Sequence, residues 1–236
     1  MDAATAPEGA EAQFCEGLVR LPQTRFCYAP PAVAPAVAPR PDRPVTFGAF
    51  GQVRKLQPQV IRVWARILAA CPDARLVLKW PAFADAAVQA RLAAAFAAQG
   101  VDPARLEFRG RSSQAETLAQ YADIDIALDP FPFCGGATTC EALWMGAPVI
   151  TWPQARPASR QSLAFLQLVG APELAAASED DYVAIAAALA ADPDRLAAYR
   201  ATLRPRMADS ALCDGPGFTR TLEATFRQLW RDRAQG

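Results

Sequence analysis

DPFPFCGGATTCEALWMGAP, residues 129–148, is the stretch whose reading decides the fold. Ahead of it, residues 124–128 (IDIAL) form an apolar run of strand length. Behind its Pro/Gly-rich loop a helix-compatible segment, residues 138–145, is closed by Gly146 and Pro148. Strand, glycine loop and helix in that order put Gly135, Gly136 and the first amides of a helix at the carboxyl end of a strand. An α/β sheet receives phosphate-bearing ligands there, because unpaired amides and the helix dipole both attract an anion. The ligand implied is a nucleotide. In this functional reading the amides from Gly135 through Ala137 and the Thr138 and Thr139 hydroxyls hold a diphosphate, while Glu141 accepts hydrogen bonds from a ribose diol. A plainer reading of the same letters stays open: Thr138 caps the helix, Glu141 three residues on closes a capping box, and the glycines only make a tight turn.

Outward from this stretch, strand and helix signals alternate. Residues 45–50 (VTFGAF), 75–79 (RLVLK), 106–108 (LEF), 124–128 and 147–151 (APVIT) read as five strands. Between them, Pro58 opens an amphipathic helix through Val60, Ile61, Trp64, Ile67 and Leu68 that stops at Cys71-Pro72-Asp73. An Ala-rich helix over 83–99 ends at Gly100, and Ser113 caps another that runs to Tyr121. Alternation at this spacing predicts βαβ units, hence a Rossmann-like α/β fold with a parallel sheet and flanking helices. Beyond Ser159 the pattern is helical only (160–168, 180–191, 194–210, 218–233). The last helix carries Phe218, Leu222, Phe226, Leu229 and Trp230 on one face; packing on the chain's own sheet is the expectation, with part of the face left without a partner here as the alternative. Residues 1–44 end in PPAVAPAVAPRPDRP and read as a tether with an extended proline-rich linker, leaving 45–236 as the nucleotide-binding domain with its helical tail.

Composition narrows the chemistry. The 236 residues are 52% hydrophobic, enough for a sizeable core, and 24 cations balance 24 carboxylates, so no field for nucleic acid or an anionic membrane is built in. The acidic, small-residue start lacks a signal peptide's basic and apolar regions, and no run of about 18 apolar residues follows, which points to the cytoplasm. Six scattered cysteines without a C-x-x-C pair read as free, mostly buried thiols. There is no histidine, so an imidazole base, a Ser-His-Asp triad and a His-ligated metal are all excluded. The only lysines are Lys55 and Lys79. Lys55 lies in FGQVRKLQP (50–58), a loop between the first strand and first helix, at the same sheet edge as the glycine loop; as a plain alternative it is an exposed loop lysine. FRGRSSQAETL (108–118) is a third loop at that edge, where groups around Arg111, Ser112 and Gln114 are placed to read a flat base, or where a serine simply caps a helix. Asp123-Ile124-Asp125 imitates a D-x-D metal motif but opens a strand, the wrong end for a ligand, so a structural role is expected.

The segment GGATTCEALWMGAPVIT (135–151) resembles the nucleotide-sugar loop of the O-linked N-acetylglucosamine transferase and SPINDLY-like glycosyltransferase family, departing from its pattern at Cys134 and Ala137. The loop at 50–58 resembles the same family's Phe-Asn-x-x-x-Lys-hydrophobic-x-Pro, with Gly51 in place of Asn, and EGLVRLPQTRFCY (16–28) its lead-in. The resemblance implies the C-terminal half of a GT-B fold and UDP-N-acetylglucosamine as donor. It implies inverting transfer to protein Ser/Thr hydroxyls, with Lys55 and Gln52 on the leaving diphosphate and no metal or other cofactor. Thr117 and Pro157 stand where the family carries histidines. The family's N-terminal catalytic half and tetratricopeptide repeats, which present the protein acceptor, have no counterpart in these 236 residues. A non-catalytic UDP-sugar-binding module needing a partner half is therefore the alternative. A dehydrogenase fits poorly, because no G-x-G-x-x-G follows the first strand.

Overall fold

Short runs rich in β-branched and aromatic residues between breakers become strands here, and all five lie in one sheet. The computed structural model describes residues 1–235. The strands β1 (Thr46–Phe50), β2 (Arg75–Lys79), β3 (Leu106–Arg109), β4 (Ile126–Leu128) and β5 (Val149–Ile150) take the order β3-β2-β1-β4-β5 with every pairing parallel. Each parallel step requires a crossover, and the amphipathic segments supply them: α1 (Pro58–Ala70), α2 (Ala86–Ala97), α3 (Gln114–Ala119) and α4 (Ala137–Trp144). Because helices cover both faces, the central β1 is buried at all five positions rather than alternating. Val60, Ile61, Trp64, Ile67 and Leu68 are the buried stripe of α1. Gly48 lets β1 and β4 approach closely, for a Cβ there would sit 2.7 Å from the buried Ile124 side chain.

Strand order fixes where a ligand belongs. The chain adds β2 and β3 on one side of β1, then returns to add β4 and β5 on the other, so the direction of winding reverses between β1 and β4. At such a switch point the loops leaving adjacent strands diverge and open a crevice at their carboxyl ends.

Four expectations are corrected. Thr138 does not cap α4: Gly136 is the N-cap, without any side-chain bond, which places Glu141 at the fifth helical position, too far along to reach back. The capping box forms instead at Ser113 and Glu116, ahead of α3. The Ala-rich segment breaks at Asp85, whose carboxylate caps α2, so only a 3-10 turn (Pro81–Ala84) precedes it. Of the cysteines, Cys134 and Cys140 are buried, whereas Cys15 and Cys27 are exposed.

The fourth concerns the last of the tail helices, α5 (Gln161–Leu168), α6 (Glu179–Ala190), α7 (Pro193–Ala208) and α8 (Gly215–Gln235). No residue of α8 is buried, and Phe226 and Trp230 are 61% and 74% exposed. Its apolar face does not lie on the sheet. Residues 1–44, by contrast, are extended but strapped down. Phe26 packs on Phe165 at 4.7 Å, the Tyr28 amide donates to the Leu212 carbonyl at 2.8 Å, and Arg40 and Arg43 both pair with the buried Asp125. Asp125 also accepts the Thr46 amide, and Asp123 pairs with Arg109, so these aspartates hold the amino edge together.

Candidate functional site

Two loops meet at the β1/β4 switch point. After β1 the chain makes a 3-10 turn, Val53–Lys55, held by the Lys55 amide on the Gln52 carbonyl. After β4 it runs through Asp129 to Gly136. Gln52, Lys55, Gly135, Thr138 and Thr139 line one hollow between them, of about 30 Å³, room for roughly two water-sized groups. That is the size of a pair of phosphate oxygens, not of a whole ligand.

The donors around it are of two kinds. The Lys55 ammonium donates to the Cys134 carbonyl at 2.8 Å and lies 4.6 Å from the Phe133 ring centre. Partial burial lowers the pKa of this amine, and the nearby Asp129 carboxylate works in the opposite direction. The amides of Ala137 and Thr138, at the first two positions of α4, find no acceptor among the described residues. They are the open end of the helix and carry its positive pole.

Other expected donors are already engaged. The Gly135 amide donates to Asp129 Oδ1 at 2.6 Å, and the Thr139 hydroxyl is bonded to Ser162 at 2.9 Å. Gly135 is a packing requirement: a Cβ there would fall 2.2 Å from Thr139 Oγ1. Asp129 anchors the loop, with Thr151 donating to its other oxygen at 2.7 Å; complete burial pushes its carboxyl up, while those hydrogen bonds pull it down. The Cys134 thiol is pushed up to about 12, by burial first and Asp129 second, and is no nucleophile.

A second hollow of about 330 Å³ adjoins the first through Thr138 and Phe50. Its walls are Phe50, Lys79, Trp80 and Pro81 on one side, Gly110, Arg111, Ser112 and Thr117 on another, and Ala137, Thr138 and Glu141 on α4. Burial raises the Glu141 carboxyl. The size and mixture of flat apolar walls with a few polar groups suit a nucleoside. A third hollow of about 440 Å³, lined by Gln52, Arg54, Lys55, Gln57 and residues 131–133, adjoins the first on the opposite side.

The fold thus brings Lys55, Gln52, Gly135, Thr138 and Thr139 to one hollow and Arg111, Ser112, Ala137, Thr138 and Glu141 to the next. Gly136 sits between them as the α4 cap without lining either, and Gln114 is exposed at the start of α3, outside both. Sequence reading passed over Asp129, Trp80 and Lys79. Lys79 carried a signal, as one of two lysines and the last residue of a buried strand.

The sequence model described as Glycosyl transferase family 41 matches residues 36–222. A Petunia hybrida protein named probable UDP-N-acetylglucosamine--peptide N-acetylglucosaminyltransferase SPINDLY is 38% identical over 239 aligned positions, covering 100% of this chain and 26% of that protein. The UDP-N-acetylglucosamine--peptide N-acetylglucosaminyltransferase of Caenorhabditis elegans is 31% identical over 198 positions, 83% of this chain and 17% of the relative. Among solved structures, a lysine-to-methionine mutant of the Thermobaculum terrenum O-GlcNAc transferase superposes with a TM-score of 0.93 at 36% identity, covering 99% of this chain and 45% of that one. The chain therefore spans about a quarter of the length of the plant relatives it matches. No helix among the described residues is long and apolar enough to cross a membrane.

Proposed function

Because the chain belongs to glycosyl transferase family 41, we propose that it is the donor-binding half of a GT-B protein O-glycosyltransferase that uses UDP-N-acetylglucosamine. One observation carries the proposal: the loop bearing Gln52 and Lys55 and the open end of α4 face each other across an anion-sized hollow at the switch point of a parallel sheet. The diphosphate lies there, with Lys55, Gln52 and the Ala137 and Thr138 amides on its oxygens. The nucleoside enters the second hollow, where Glu141 accepts from the ribose diol and the Arg111–Ser112 loop borders the base. The sugar projects to the other side.

Transfer is an in-line displacement. A protein Ser/Thr hydroxyl oxygen bonds to the anomeric carbon as the bond to the β-phosphate oxygen breaks, inverting the centre. The electron pair leaves with the diphosphate, where Lys55 and the α4 amides meet the growing charge, with no metal required for that task. The hydroxyl proton passes to a base outside this chain; the only carboxylate at the small hollow among the described residues, Asp129, is held by Gly135 and Thr151. The relatives' remaining sequence supplies the facing wall of the cleft and the surface that presents the acceptor.

Calorimetric titration with UDP, UMP and uridine, beside hydrolysis and transfer assays, tests this. The expected result is UDP bound tighter than UMP by about tenfold or more, with turnover restored only when the other half of the cleft is supplied. Equal binding of UDP and UMP would overturn it. Binding without turnover in the completed cleft would favour the non-catalytic module, the reading that Thr117 and Pro157 in place of histidines suggest.

A further inference from the structure

Lys79 ends β2 and is 5% exposed. Its ammonium donates to the Gly110 carbonyl at 3.0 Å and to Ser112 Oγ at 2.7 Å, and Ser112 Oγ shares a further hydrogen bond with Thr117 at 2.8 Å. Both partners are neutral, and among the described residues no carboxylate pairs with Lys79. An ammonium carries three donors. Two are engaged with the loop after β3, and Lys79 lines the second hollow, which leaves the third for whatever enters. Burying a cation against neutral groups costs free energy, and an arriving oxygen acceptor offsets it.

The surroundings say what kind of oxygen. Glu141 lines the same hollow and opposes a phosphate there, while Phe50 and Trp80 offer apolar faces to a flat ring. The diphosphate has its own hollow beside Lys55. What remains for Lys79 is a carbonyl on the ring.

We infer that Lys79 selects the base of the donor nucleotide. Its free N–H donates to a ring carbonyl oxygen, so bases with a keto group at the recognised edge, uracil or guanine, are accepted. Cytosine and adenine, which present an exocyclic amine there, are refused. The amine sets a donor against a donor, and both are then desolvated without an acceptor. This rests on the reading of the second hollow as the nucleoside site.

The test is a calorimetric panel of UDP, GDP, CDP and ADP on the full chain and on Lys79→Met, Ser112→Ala and Lys55→Met, each first checked for cooperative unfolding. The parent is expected to bind at least one keto nucleotide about tenfold or more tighter than its amino counterpart, UDP against CDP and GDP against ADP telling which base is meant. Lys79→Met collapses that ratio to within about threefold by losing the keto ligand. Ser112→Ala, which loosens the loop but leaves the ammonium, keeps the ratio, and Lys55→Met weakens all four ligands alike. A parent that does not discriminate overturns the inference, as does Lys79→Met weakening all four equally. Collapse of the ratio in Ser112→Ala would place selectivity in the loop. If no nucleotide binds the folded parent, the donor reading itself falls.

Discussion

Replacing Lys55 with methionine removes one charge and keeps the length of the side chain. In the ligand-free fold the ammonium has a carbonyl partner at Cys134 and an aromatic ring beneath it, and it is only partly buried, so water can take over the carbonyl and the fold should hardly change. The ligand feels far more. A charge-assisted contact to a phosphate oxygen contributes about 1.5–3 kcal/mol, which is roughly 10- to 140-fold in Kd. In the proposed complex this contact would be short and partly desolvated, so raising salt should reduce it less than it reduces attraction between charges a screening length of about 8–10 Å apart. The pH dependence has a sign. Burial lowers the amine's pKa, so in the parent UDP affinity is full below that value and declines as pH rises through it, whereas the variant shows no such decline. Calorimetry with UDP and uridine at two salt concentrations and across the alkaline range reads all three effects. Uridine, having no phosphate, should bind both proteins equally. An unchanged UDP Kd, or equal losses for UDP and uridine, would refute the placement of the diphosphate at Lys55.

Glu141→Gln should lower the preference for UDP over its 2′-deoxy analogue by about tenfold, the scale of one charge-assisted hydrogen bond. The parent's preference grows with pH as the burial-raised carboxyl ionises, and the variant's stays flat; equal preference in both proteins removes Glu141 from the ribose site. Gly48→Ala drives a methyl into Ile124 and should destabilise by about 1–3 kcal/mol in urea unfolding, an outcome contradicted by a midpoint equal to the parent's. Asp129→Asn bears on both stability and binding. Because burial raises this carboxyl in the fold, its contribution to the parent's stability is full below the unfolded carboxylate value, about 3.9, and is lost as pH rises through the folded value. The variant's stability relative to the parent should therefore improve between acid and neutral pH, and its UDP affinity should rise. A variant that instead loses stability relative to the parent as pH rises would show the carboxylate to be favourable where it lies.

What the sequence disclosed follows its periodicities. The five strands, α1 and the Ser113 cap were legible because each is fixed by neighbours within a few residues. The Thr138 cap failed because the onset of α4 is set from elsewhere: Asp129 grips the Gly135 amide, Ser162 holds Thr139, and the helix starts one residue earlier than its letters suggest. Residues 1–44 look like a linker by composition, yet Arg40 and Arg43 close on a carboxylate more than 80 positions away, which no local pattern encodes. The stripe on α8 was visible as a stripe. Which body it meets was not, because amphipathicity identifies an apolar face and never its partner.

In the proposed donor complex, the charges at the switch point account for how a chain with no net charge would hold a polyanion and let it go. Lys55 contributes one positive charge and the open end of α4 roughly half of one, against a diphosphate carrying more negative charge than both together. Asp129 lines the hollow beside Gly135, its oxygens bonded to the Gly135 amide and the Thr151 hydroxyl. It orients the loop whose next amides, those of Ala137 and Thr138, remain free for the ligand, and its negative charge at the same time trims the attraction that Lys55 and the helix exert. Orientation requires the two hydrogen bonds and trimming requires the charge. Asparagine keeps most of the first and abolishes the second, so tighter UDP binding by Asp129→Asn separates the two. If orientation were all, the substitution would leave affinity unchanged or weaken it.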